Sequence, residues 1–108
     1  MAYDLVLAER LREAVKELPV IEKKMFGGVA FMLNGNMLIG IHGDNLIARV
    51  GPGKDKTSLS KPYTKPFDMT GHPMSGWVEV LPSGCKSDQD LKTWVTNSLE
   101  FVATLPKK

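Results

Sequence analysis

Few side chains in this 108-residue chain are of types that carry out chemistry: His42, His72, Ser75 and the single cysteine, Cys85. A hydrolytic serine on a strained turn needs a glycine two residues before it, and Pro73 stands there. A cysteine nucleophile needs a basic group beside it; Lys86 adjoins Cys85 in sequence, which does not make the two touch. A histidine base or metal ligand is normally placed by a second group, and the sequence names none for either histidine. One thiol forms no intrachain disulfide and no cysteine-rich zinc site. Gly51-Pro52-Gly53-Lys54 fails as a phosphate-binding loop, because Ala48 and Asp55 replace its first glycine and its Ser or Thr. Asp44 belongs to a turn, and Glu79 alternates with Val78 and Val80, so no carboxylate pair emerges. The expectation is a protein without catalytic residues, cofactor or metal. An enzyme or small-ligand pocket near His72, Ser75 and Cys85 is the third reading, behind two kinds of binding.

Binding chemistry shows in three places. Residues 1–50 and 87–108 each sum to zero charge, so the net +2 comes from the middle of the chain. There Lys54, Lys56, Lys61 and Lys65 face only Asp55. Surface lysines are usually only solvated, but this segment, with the terminal lysines, is the candidate for weak nucleic-acid contact. The second place is Met25-Phe26-Gly27-Gly28, where a double glycine marks a bulge or close backbone approach, or offers N–H groups to an anion. The third follows from strand alternation. If Leu46, Ala48, Val50, Val78 and Val80 face a core, then Ile47, Arg49 and Trp77 face the other way. Trp and Arg anchor interfaces, so an uncovered far face would be an interaction surface, unless a loop or residues 53–65 cover it.

The elements that hold these residues are readable. Asp4 caps a helix of about four turns with Leu7, Leu11, Ala14, Val15 and Leu18 on one face, stopped by Pro19. Residues 24–50 read as a three-stranded antiparallel meander, with turns at Asn34-Gly35-Asn36 and Gly43-Asp44-Asn45. A short helix fits 54–60, anchored by Leu59. Strands then fit 66–69 and 76–82, joined by a loop rich in Pro and Gly. Ser87 and Asp90 open a last helix whose Leu91, Trp94, Val95, Ser98, Leu99, Val102 and Leu105 recur with period 3.6. The expected fold is α+β in two layers: a five-stranded, mainly antiparallel sheet with helices on one face, in the order α-β-β-β-α-β-β-α. One domain fills residues 1–108. The start lacks the basic-then-apolar order of a signal peptide, and no apolar run is long enough to span a bilayer, so a cytoplasmic location is expected.

Taken together, Lys24-Met25-Phe26-Gly27-Gly28, the run from Phe31 through Asn34-Gly35-Asn36 to Met37, and Arg49-Val50-Gly51 resemble the N-terminal domain of the TfoX/Sxy family of bacterial competence regulators. Pro66-Phe67-Asp68-Met69, Pro73 to Val78 and the Leu91…Trp94 helix add to the resemblance, which covers nearly the whole chain. It implies a two-layer fold with an antiparallel sheet and a regulatory role with the transcription machinery, and it brings no catalytic residues. Full-length members carry a second, C-terminal domain, and the chain stops at Pro106-Lys107-Lys108, so a stand-alone version is expected. The first functional expectation is therefore a non-enzymatic interaction module contacting a protein partner or a second copy of itself. Its surface would comprise Met25, Phe26, Gly27, Gly28, Ile47, Arg49 and Trp77.

Overall fold

The computed structural model describes residues 3–25, 27–67 and 75–107, the side chain of Asp55 excepted. Helix α1 spans Leu5–Val15. The Asp4 carboxylate accepts from Val6 N at 2.9 Å and Leu7 N at 3.1 Å, which satisfies two amides of the first turn. The helix stops three residues sooner than the apolar spacing suggests. Leu18 N turns back to Val15 O at 2.9 Å, and Pro19 holds the chain extended. Leu18 still packs on the core.

Six strands follow, all antiparallel: β1 (Val20–Met25), β2 (Gly28–Leu33), β3 (Asn36–His42), β4 (Asn45–Arg49), β5 (Thr64–Pro66) and β6 (Trp77–Val80). Their order in the sheet is β1-β2-β3-β4-β6-β5. The expected count of five was one short. The segment read as a single strand from Lys24 to Leu33 is the end of β1, a tight turn and β2. Strand β1 is an edge strand carrying Glu22, Lys23 and Lys24, so it shows no apolar alternation. The fifth strand also lies earlier than residues 66–69. Pro66, which has no N–H, ends β5 at the sheet edge; Asp68 and Met69 lie outside the described residues.

The Asn-Gly turn is as expected. Asn34 and Gly35 have φ of 53° and 83°, the two positive values that a two-residue hairpin of matching twist requires. A register shift leaves Leu38 as an extra residue opposite the Phe31–Met32 step, and both Leu38 and Ile39 join the main core.

Helix α2 (Lys54–Leu59) and helix α3 (Asp88–Val102) complete the fold with a 3₁₀ turn at Pro82–Cys85. Ser87 Oγ accepts from Asp90 N at 3.0 Å and starts α3. The main core joins Leu7, Leu11 and Val15 of α1 and Leu91, Trp94, Val95 and Val102 of α3 to Val29, Ile39, Ile41, Leu46, Ala48, Val78 and Val80 of the sheet. Leu59 of α2 packs on the same cluster. The helices therefore cover one sheet face. The opposite face has a smaller apolar cluster of its own, formed by Ala30, Met37, Ile47 and Phe67, with Met25, Met32 and Trp77 against it. No helix of the described residues is long and apolar enough to cross a membrane.

Candidate functional site

The alternation of β4 and β6 sends side chains where the sequence predicted. Leu46, Ala48, Val78 and Val80 join the helix-side core, while Ile47 and Trp77 lie in the far cluster. Ile47 is 0% exposed and Phe67 3%, so this part of the far face is already closed. Ile47 is thus a core residue and not a contact residue, because no partner can reach it. The Phe67 and Trp77 rings pack at 5.9 Å with a 40° tilt.

Toward the end of β4 the face opens. Arg49 pairs across the sheet with Trp77, and both are half-buried. The guanidinium carbon lies 5.1 Å from the Trp77 ring centre and 5.7 Å from that of Phe101, in the last turn of α3. Among the described residues its hydrogen bonding is sparse, with Nη1 donating to Met37 O at 3.5 Å, the outer limit of such a bond. Among the described residues no carboxylate pairs with it. Burial pushes its pKa down from the usual arginine value, yet a guanidinium remains charged at neutral pH.

Glycines shape this corner. Val50 N and Gly51 N both donate to Gly76 O at 2.9 Å, joining the end of β4 to the start of β6. A Cβ on Gly51 would lie 2.5 Å from the Phe101 ring, and φ there is 96°. Glycine is what allows the ring to lie against the backbone beside Arg49.

The double glycine is architectural. Gly27, with φ of 73°, makes the β1–β2 turn, and a Cβ on Gly28 would lie 1.9 Å from Ile41 O. This is the close-approach reading of the motif. Met25 packs into the far cluster, and Phe26 lies outside the described residues.

Two of the four lysines, Lys54 and Lys61, line one cavity with Val50, Thr57, Ser58 and Asn97. Lys54 pairs with Glu100 of α3 at 3.0 Å, and Lys61 Nζ lies 5.1 Å over the Trp94 ring. Lys56 is exposed on α2, and Lys65 is exposed on β5 opposite Glu79. Of the terminal lysines, Lys107 is exposed and Lys108 is outside the described residues.

Cys85 is buried in the helix-side core, its Sγ 3.8 Å from Leu81 O, and burial pushes its thiol pKa up. A thiolate there is disfavoured. Ser75 is exposed before β6, and His72 is outside the described residues. A cleft of about 630 Å³ lies between α1 and α3. Its Arg10 is already used, donating to Cys85 O and Lys86 O at 3.0 Å. Among the described residues no group of three or more His, Cys, Asp or Glu could hold a metal ion.

Residues 13–102 match the model of the TfoX N-terminal domain. The chain belongs to the TfoX N-terminal domain family. No curated protein and no solved structure matches it. In this TfoX N-terminal domain, sequence reasoning found Arg49 and Trp77 by strand period, and missed Phe67 and Phe101. Phe101 lies off the buried stripe of α3, and a large aromatic in that position was its only signal.

Proposed function

We propose that this domain is a non-catalytic regulatory module that binds another protein at the Arg49 corner and the open part of the far sheet face. One observation carries the reading: a half-buried guanidinium lies within contact of two aromatic rings and no carboxylate of the described residues neutralises it. Tryptophan and arginine in such settings dominate binding energies at interfaces. Membership of a family of regulatory domains supports the same reading. Against nucleic acid stand the engagement of Lys54 and Lys61 by α3 and a net charge of only +2.

The test is capture of partners from the source organism's lysate by wild type, Arg49→Gln and Trp77→Ala, each with and without nuclease. Folding of each variant is checked by its amide NMR spectrum. A protein retained after nuclease and lost with both substitutions is the expected result. If both variants retain every partner, the surface is wrong. If nuclease removes every partner, the nucleic-acid reading replaces it, with Lys56 and Lys65 the first residues to change.

A further inference from the structure

We propose that the Arg49 corner is a receptor for a single carboxylate carried next to an apolar group, so that the partner presents an acidic side chain or chain end flanked by a hydrophobic residue. This rests on the interaction reading above and names the chemistry that the surface recognises. A guanidinium has five N–H donors in a planar fork, and among the described residues Arg49 uses one of them, in a bond at the outer limit of length. The rings of Trp77 and Phe101 restrict the fork and remove part of its water, which strengthens a charge-assisted hydrogen bond. A carboxylate matches the fork with two parallel bonds.

Charge selects the ligand class. Among the described residues the corner offers one unneutralised positive charge, because no carboxylate pairs with Arg49 and the helix-borne cation Lys54 is held by Glu100. A monoanion balances one guanidinium, whereas a phosphate dianion requires a second cation. The surroundings select the rest of the ligand. Trp77 and Phe101 flank the fork, and Phe67 packs on Trp77. An apolar group attached to the carboxylate would lose water against these rings.

A purely structural role makes a different prediction. The last turn of α3 carries no basic residue, and Arg49 lies beside Phe101 in that turn, so it could serve only to balance the carbonyl end of the helix. Its replacement would then alter stability and no ligand response would exist.

The experiment is an NMR titration of the full chain, following the Arg49 Nε–H and Trp77 Nε1–H signals. The probes are acetate, N-acetylphenylalanine, its neutral amide, and inorganic phosphate. Both signals are expected to shift saturably with N-acetylphenylalanine, to require higher concentrations of acetate, and to ignore the amide. Arg49→Gln, read at Trp77 Nε1–H, should weaken the carboxylate response by at least about tenfold. Arg49→Lys keeps the charge but loses the fork, and should fall between the two. No saturable carboxylate shift, or the same Trp77 response in Arg49→Gln, would overturn the receptor. Tighter binding of phosphate, or an equal response to the amide, would overturn its ligand class. Carboxylate binding with unchanged partner capture by Arg49→Gln would remove the interaction reading and leave the receptor standing.

Discussion

Ser98 shows what one hydroxyl can do in a core. It sits fully buried on the inner face of α3, and its Oγ has no hydrogen-bond partner among the described residues. Such a group loses its water and recovers nothing. Ser98→Ala removes that cost and adds helix propensity, so stability should rise by roughly 1 kcal/mol. Thermal unfolding reads this directly, and a fall in midpoint would mean that the hydroxyl is satisfied in solution. The same residue was legible from sequence as part of the buried stripe, since period 3.6 ignores polarity. Arg49 and Trp77 were legible for a similar reason, because period two places them opposite Ala48 and Val78. Period says which face a residue takes and nothing about what covers that face. For that reason Ile47 passed as a surface residue until its far-side neighbours were known.

Two features tie β1 to its neighbours. Arg12 of α1 grips Glu22 of β1, with Nε to Oε1 at 2.6 Å and Nη2 to Oε2 at 2.9 Å. The Arg12 hydrogen bond holds the Glu22 carboxyl below its ordinary range. A lowered folded-state value means that the pair contributes stability above the unfolded-state pKa and loses it as pH falls through the folded one. Both side chains are about one third or more exposed, so the contribution is within about 1 kcal/mol. Urea midpoints of wild type and Glu22→Gln should differ at neutral pH and converge near pH 2, with a smaller gap at high salt.

The hairpin next to that pair offers a sharper contrast. Gly27 has open space and only a positive φ to defend, so Gly27→Ala should cost about 1–2 kcal/mol. Gly28→Ala drives a Cβ into a backbone carbonyl that cannot swing aside, and should cost more than about 3 kcal/mol or prevent folding. Denaturant titration ranks the two, and equal costs would contradict the close approach of β2 and β3. Sequence alone marked the double glycine without separating these roles, because only the neighbouring strand tells them apart. Strand β1 was hidden for a related reason: an edge strand in water needs no apolar alternation, and pairing with β2 is what makes it a strand.

At the scale of the molecule, the sheet has apolar residues on both faces, and the helices of the described residues lie on only one. The helix-side core and the layer order were readable, since the amphipathic helices need a sheet to cover. The far-side cluster was not, because it depends on Phe67 leaving the line of β5. Another global feature lies at the two ends of the described chain. Asp4 N donates to Gly43 O at 3.0 Å, just past one end of β3, and Asn36 Nδ2 donates to Pro106 O at 3.0 Å, at the other. The first and last described segments are therefore held apart by the length of one strand, roughly 20 Å. A circularly permuted chain, reopened at the exposed Asn34–Gly35 turn, needs a bridge of at least about seven residues to join residues 4 and 106 without strain. Shorter bridges should lower the unfolding midpoint steeply, and beyond that length each added residue should matter little.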